Sequence, residues 1–346
     1  MEKTIKASII ENENLNPLIS IITVNFNHNE YTLLMLRSLK KCTYKNIEII
    51  VVDNASYVDN LTEIEDEFPE AKLVRLANNL GFAGGNNEGL KYATGDYILL
   101  LNNDTEVDPG FLEPLIETFH TNSDAGIVSP RLMYFYSPDM NTIQYAGTTP
   151  INLKTGRNKS IGNNEIDRGQ YNYVCKTAYA NGAALMFSRK MLETVGCMPD
   201  VYFLYYEELD WCVAAQKKGF NIYYAGTSKV YHKGSITVGV NGPIRKYYMA
   251  RNRILFLRRN ADLFTLVISM VFFFSVSYPI AHYRMIKNKE VGLLKYFIRG
   301  VFWNFTHFKG VKAFPQIHFS ENKIPELTNV SSHFKENSQF IDNIKK

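Results

Sequence analysis

The segment Tyr97-Ile98-Leu99-Leu100-Leu101 is a run of five apolar residues that stops abruptly at Asn102-Asn103-Asp104. A short apolar run with no polar alternation reads as a strand buried on both faces, the habit of a parallel sheet covered by helices. Its polar end then lies at the carboxyl edge of the sheet, where ligands of open α/β folds collect. Asp104 therefore stands where a metal-bound phosphate can sit.

The flanking sequence repeats this arrangement. Residues 18–24 form a β-branched strand that ends in the polar turn Asn25-Phe26-Asn27-His28-Asn29, after which Tyr31, Leu34, Met35, Ser38 and Leu39 recur at helical spacing. Residues 47–52 are a second apolar strand ending at Asp53-Asn54-Ala55-Ser56; a helix over 60–68 and a third strand over 73–76 follow. Three alternations of strand and helix imply a parallel, right-handed, doubly wound sheet. Next, Asn79-Leu80-Gly81-Phe82-Ala83-Gly84-Gly85-Asn86 opens a helix that runs towards Ala93. The stretch has neither G-x-G-x-x-G spacing nor a Walker lysine, which argues against a dinucleotide or P-loop site. Its glycines let backbone approach a ligand at a helix start rich in free N–H groups; a tight turn accounts for them equally well.

Beyond Asp104 a helix is expected from Pro109, since proline suits a first helical turn, and then a strand over 125–129. Residues 133–176, rich in Tyr, Asn, Gly and Thr, read as short antiparallel strands and a variable loop, a natural place for binding residues. A strand over 181–187, a helix over 189–195 stopped by Gly196, and a strand over 222–225 continue the pattern. Between them, Tyr205-Tyr206-Glu207-Glu208-Leu209-Asp210-Trp211 puts three carboxylates in the first turn of a helix. Acids there complement the helix dipole and need no function. The same field keeps a carboxylate ionised, as a general base requires. His232 follows alone, and a lone histidine is more often structural.

At 346 residues the chain holds one large α/β domain with an appendage, or two domains. A formal charge of +4 is too small to argue for nucleic acid. The four cysteines form no C-x-x-C pair, so neither a zinc site nor a disulfide framework is indicated and a reduced compartment fits. The polar stretch up to Asn16 lacks the apolar core of a signal peptide, so the part from Ile19 is expected in the cytoplasm. Residues 263–281 carry no formal charge, near the lower limit of roughly 17–25 residues for a membrane span. Both flanks are basic, with Arg251, Arg253, Arg258 and Arg259 before and Arg284, Lys287 and Lys289 after. Charge therefore leaves a span, an in-plane helix and a re-entrant hairpin open, with a buried core helix as the alternative. The basic, aromatic stretch 244–259 suits a diphosphate, anionic head groups or a solvated face. The expected divisions are a polar extension 1–17, an α/β domain 18–240, basic and apolar helices 241–320, and a loosely ordered tail 321–346.

Taken in order, Thr23-Val24-Asn25-Phe26-Asn27, Val51-Val52-Asp53-Asn54-Ala55-Ser56, the glycine-rich stretch and Leu100-Leu101-Asn102-Asn103-Asp104-Thr105 resemble the nucleotide-binding half of family 2 glycosyltransferases. Asn181-Gly182-Ala183, Tyr206-Glu207-Glu208-Leu209-Asp210-Trp211-Cys212, Val230-Tyr231-His232 and Tyr248-Met249-Ala250-Arg251-Asn252 are similar to that family's acceptor-side motifs, most of all in its rhamnosyltransferase-like branch.

The resemblance implies a GT-A fold, a doubly wound mixed α/β sheet flanked by helices, with a C-terminal helical membrane-associating segment. It further implies inverting transfer from a nucleotide-diphosphate sugar, dTDP-rhamnose or a UDP-sugar, to a glycan or lipid-linked glycan at the cytoplasmic face of a membrane, in surface polysaccharide synthesis. Carried over residue by residue, Asp53 would accept the N3–H of a pyrimidine. Asn25, Asn27, Asn79, Gly81, Gly84, Asn86, Asn102, Asn103 and Arg251 would serve the donor; Gly182, Ala183 and Trp211 would serve the acceptor. Asp104 and His232 would hold a divalent cation, Mg²⁺ or Mn²⁺, on the diphosphate. Glu208 would be the general base, with Glu207 or Asp210 able to share the role. The oligomeric state is left open.

The chain departs from the family pattern in three places. Asn102 stands where the first acid of D-x-D is usual, Glu207-Glu208 replaces Glu-Asp, and Gly196-Cys197-Met198-Pro199 replaces Gly-Gly-Phe-Asp. Two competing readings follow: a nucleotidyltransferase, and a catalytically silent nucleotide-sugar-binding protein of the same fold.

Overall fold

The computed structural model describes residues 16–57, 61–234, 242–308, 311, 314–320 and 323–328. The extension before Asn16 and most of the tail lie outside the described residues.

The first third alternates as its periodicity requires: β1 (Ile19–Asn25), α1 (Asn29–Lys40), β2 (Ile47–Asp53), α2 (Thr62–Glu67), β3 (Lys72–Arg75), α3 (Gly81–Leu90) and β4 (Tyr97–Leu101). There follow β5 (Thr105–Val107), α4 (Leu112–Thr121), β6 (Ala125–Tyr134), β7 (Ile143–Tyr145), β8 (Val174–Thr177), β9 (Ala184–Ser188), α5 (Arg189–Val195), α6 (Glu207–Lys217) and β10 (Asn221–His232). The chain continues through α7 (Pro243–Asn260), α8 (Leu263–Lys287), α9 (Leu294–Thr306), β11 (Gln316–Ser320) and β12 (Lys323–Thr328).

The main sheet has the order β3-β2-β1-β4-β9-β6-β10-β5, with β7 beside β6 and β8 beside β10. β4 sits near its middle, parallel to β1 and antiparallel to β9. Ile98, Leu99, Leu100 and Leu101 are each at most 2% exposed, which is why the run lacks polar alternation. Successive side chains of a strand point to opposite faces, and the core divides accordingly. Leu99 and Leu101 join the cluster that includes Leu36 of α1 and Leu115 of α4, whereas Ile98 and Leu100 join Ala83 of α3, Met191 of α5 and Trp211 of α6. The domain is thus three layers, helix on sheet on helix, with a mixed sheet.

Register brings the polar tips together. Asn25 pairs with Asp53, and β4 ends one strand away at Leu101. Because β9 is antiparallel, its start faces the end of β4: Ala184 pairs with Leu101, and Asn102 N–H donates to Ala183 C=O at 2.9 Å. His232, at the end of β10, pairs with Thr105.

Of the boundaries that differ from expectation, four have a clear physical reason. α4 starts at Leu112, because Pro109 lies in a preceding turn where its carbonyl accepts from Thr43 N–H at 2.9 Å. β6 runs on through Pro130; the register of its pairing with β10 shifts between Ala225 and Lys229, so the residue without an N–H falls at an irregularity. The same shift lets β10 continue far past Ala225 to His232. Finally, residues 323–328 are a strand paired with β11, and Ile317 and Leu327 pack on the core beside α5 and α6, so this part of the expected loose tail is ordered structure.

Candidate active site

The tips of β1 and β4, the starts of α3 and β9, and the entry to α6 surround a cavity of about 340 Å³. Asn79, Gly81, Asn102, Asn103, Asp104, Gly182, Ala183, Glu207, Glu208 and His232 line it.

The acidic wall depends on an unusual entry to α6. Phe203, Tyr205 and Tyr206 have φ of 65°, 70° and 79°, and non-glycine residues held there cost about 1–3 kcal/mol each unless the surroundings impose the conformation. Asn252 of α7 imposes it. Its side-chain amide donates to the carbonyls of Tyr202, Leu204 and Tyr205 at 3.1, 2.8 and 2.8 Å. Phe203 stacks on Tyr248 at 5.3 Å and 14°, and its carbonyl accepts from Phe82 N–H at 2.7 Å. Gly81 is required for that last approach: it has φ 73°, and a Cβ there would lie 2.2 Å from the Phe203 carbonyl oxygen.

This loop delivers Glu207, 2% exposed, and the half-buried Glu208 to the cavity, and Oε2 of each has no hydrogen-bond partner. Burial pushes the Glu208 carboxyl up to about 7, against the pull of the N–H groups of Glu208 and Leu209 at the helix start. Burial, with the neighbouring Glu208 charge, holds Glu207 well above the carboxylate range. The two carboxyls thus titrate as an interacting pair, with the charged form of both disfavoured by burial. Asp210 is elsewhere: its carboxylate accepts from Arg259 Nε at 2.5 Å and from Asn260.

The opposite wall is the β4 tip. Asn103 Nδ2 donates to Thr32 Oγ1 at 3.1 Å, and Asp104 C=O accepts from Lys233 N–H at 2.9 Å. His232 Nδ1 lies 2.8 Å from Gln144 Oε1; with that oxygen accepting, Nδ1 carries the proton and Nε2 is left with a lone pair. Nε2 is 3.2 Å from Asp104 Oδ1, yet Oδ1 has no hydrogen-bond partner, so the contact is a proximity without bonding geometry. A buried carboxylate oxygen facing an imidazole lone pair fits a bound cation. Among the described residues no group of three or more His, Cys, Asp or Glu side chains forms a metal cage.

Residues 20–196 match the model of a family described as glycosyl transferase family 2. The chain belongs to that family. A low-salt glycan biosynthesis hexosyltransferase of Haloferax volcanii is 26% identical over 59% of this chain and 63% of its own length. The dTDP-rhamnosyl transferase RfbF of Shigella flexneri is 25% identical over 62% of this chain and 72% of its own. The match thus spans less than two thirds of the first relative. Among solved structures, a mannosyltransferase of Pyrobaculum calidifontis in complex with GDP-Man and Mn²⁺ superposes with a TM-score of 0.50 at 14% identity, covering 84% of this chain and 87% of that one. The fold is GT-A. Glu207, Glu208 and His232 lie beyond the matched span, so their place in this family 2 chain rests on the geometry above.

Several residues expected at the donor or acceptor site do not line the cavity of the family 2 domain. Asp53 accepts from Ser56 Oγ at 2.5 Å and Asn25 Nδ2 at 3.3 Å, and Asn25 also donates to Asn29 at 2.8 Å. Asn27 takes φ 61° and its Oδ1 accepts from Tyr57 N–H. Gly84 packs on Leu80, Asn86 Nδ2 donates within α3 to Phe82 C=O, and Trp211 is buried with its N–H on Gly196 C=O. Arg251 is fully buried, donating to Val201 C=O with its guanidinium 4.2 Å from the Trp303 ring. Further along the basic stretch, Arg253 donates to Thr155 C=O, Arg258 to Asn304 and Arg259 to Asp210, so these guanidiniums are engaged inside the fold, whereas Ile244 at its start lines the cavity. Sequence reasoning missed Asn54, which lines the cavity, donates to Asn79 Oδ1 and Gly81 C=O at 3.0 Å and accepts from Leu80 N–H at 2.8 Å. Its signal was present, as one more polar residue at a strand tip. Asn252 stood in a quoted motif, but nothing local marked its three-carbonyl contact.

Proposed function

We propose that the protein is an inverting glycosyltransferase whose general base is Glu208 and whose donor is a nucleotide-diphosphate sugar, dTDP-rhamnose or a UDP-hexose. One observation carries the reading: an unpartnered carboxylate with a pKa of about 7 shares a cavity with the acceptor-only pair Asp104 Oδ1 and His232 Nε2. Ionised Glu208 takes the proton of an acceptor hydroxyl as its oxygen attacks the anomeric carbon. The bond from that carbon to the diphosphate oxygen breaks on the opposite face, inverting the centre. Asp104 and His232 would hold a divalent cation, Mg²⁺ or Mn²⁺, which when bound neutralises the charge of the leaving diphosphate. Asn54, Asn79 and the start of α3 border the donor.

The acceptor in this reading is a glycan, lipid-linked and presented at the cytoplasmic face of a membrane during surface polysaccharide synthesis. Support comes from the relatives named for glycan biosynthesis and rhamnosyl transfer and from the apolar helix α8. Donor turnover tests the assignment: Glu208→Gln and Asp104→Asn are each expected to lose at least about a hundredfold in rate. Near-normal turnover in either variant removes that residue from its role. Nucleotide binding by the unmodified protein with no transfer to any acceptor of a broad panel supports the catalytically silent alternative.

A further inference from the structure

α8 is 25 residues long, about 37 Å at 1.5 Å per residue, and so long enough to cross a hydrocarbon core of about 30 Å. Its length leaves the orientation open, but its attachment to the rest of the chain is decisive. Only 17% of its most apolar window is buried, which removes the core-helix alternative, and what is buried is a single face. Ser269, Phe273, Ser277 and Met285 make up that face. It is fixed by polar groups at mid-helix: Ser269 Oγ donates to Leu153 C=O, and Ser277 Oγ accepts from Arg253 Nη2 at 3.1 Å and Arg157 Nη2 at 3.5 Å. The two guanidiniums also lie 5.2 Å from the Phe273 ring and 5.1 Å from the Phe272 ring. A spanning α8 would carry both arginines and the loop carbonyl to the depth of the acyl chains, where charge and irregular backbone are expelled.

The opposite face of α8 is bare. Phe264 is 73% exposed and Val271 61%, and Val267 and Phe274 are exposed as well. Phe274 lies 6.3 Å from Phe305 of α9, beside the 61% exposed Phe302, so the two helices form one apolar surface. Residues 262–308 contain five Lys or Arg against two acids. Asp262 is occupied capping α8, and Glu290 is paired with Lys246. Arg284, Lys287, Lys289 and Lys295 are exposed at one end of the surface.

We propose that α8 and α9 lie in the plane of an anionic phospholipid surface, with the apolar face among the acyl chains and the basic end on the head groups, and that α8 does not span the bilayer. The apolar face calls for lipid, and the charge excess selects an anionic surface. The inference extends the reading of a membrane-borne acceptor, and its test uses neither donor nor acceptor. A failure here is therefore distinct from a failure of glycosyl transfer, which would appear as absent turnover on a soluble acceptor fragment.

The experiment is co-sedimentation of the full chain with vesicles of phosphatidylcholine alone or mixed with phosphatidylglycerol. Binding is expected to the mixed vesicles and to be weakened at least about tenfold by Val271→Glu combined with Phe302→Glu, both surface positions that leave the melting temperature unchanged. A nitroxide on Val267→Cys, Phe274→Cys or Tyr283→Cys, in a Cys175→Ser background, should report one shallow depth at all three sites. A gradient of depth from 267 to 283 overturns the in-plane orientation. Equal binding to neutral and anionic vesicles overturns the lipid class, and no binding with a dimer in solution assigns the surface to a second copy instead.

Discussion

The two walls of the cavity are built by opposite means. The β4 wall is relaxed: Asp104 follows a strand paired on both sides, and His232 arrives by antiparallel pairing with β5. Regular ladders set the positions of these side chains, and no residue from 102 to 104 has a positive φ. The α6 wall is imposed from outside. Phe203, Tyr205 and Tyr206 hold left-handed backbone under the amide of a residue some fifty positions later in the chain. A wall made by pairing tolerates loss of its polar tips without loss of fold, whereas a wall made by restraint fails when the restraint is removed. Glu208, the proposed base, stands on the second wall, so its environment is tied to a tertiary contact.

Three substitutions probe this contrast, beginning with the largest expected effect on stability. Gly81→Ala forces a Cβ onto the Phe203 carbonyl at a φ of 73°; it should cost about 2–4 kcal/mol in denaturant unfolding and abolish most turnover. A neutral outcome would show that the α6 entry yields freely. Asn252→Ala strips one donor from three carbonyls and should cost about 1–3 kcal/mol. The acid limb of its kcat/KM profile should move from about 7 towards the ordinary carboxylate range as Glu208 gains water. An unmoved limb would confine Asn252 to stability.

The third substitution concerns Glu208 itself. Its folded pKa of about 7 lies above the ordinary 4.5, so the stability that its neutral form contributes is complete below 4.5 and lost as pH rises through 7. Glutamine stays neutral. Glu208→Gln should therefore gain about 1–3 kcal/mol relative to the unmodified protein between pH 4.5 and 7, with no further change above, read by unfolding at each pH. A constant difference across that range would mean that the carboxylate is solvated in the folded state.

The same contrast explains what was legible in the sequence. The run from Tyr97 to Leu101 announced its strand because burial on both faces leaves no polar alternation, and the limits expected for β4 and α5 coincide with those observed. Asp104 and Glu208 were recognisable as carboxylates at a strand tip and a helix start. What stayed hidden depends on distant partners. Nothing near Asp210 shows that Arg259 and Asn260 occupy it, and nothing in a row of arginines shows that Arg251 is buried against Trp303. Asp53 looked free because Ser56, three residues on, reads as turn polarity until its hydroxyl is seen 2.5 Å from the carboxylate.

The position of α7 carries a practical consequence. Cutting the chain after Asn260 would look like a way to obtain a soluble enzyme, since it discards the greasy helices. It would also discard Asn304, whose amide donates to the carbonyl of Arg251 at 2.9 Å and whose Oδ1 accepts from Arg258, and Trp303, which covers the Arg251 guanidinium. The residue next to Arg251 is Asn252, on which the loop before the base depends. A shortened protein would thus lose its hold on the base together with its lipid-facing surface. Replacing Phe264, Val271 and Phe302 with polar residues, while keeping all of α8 and α9, is the sounder route to a soluble and active preparation.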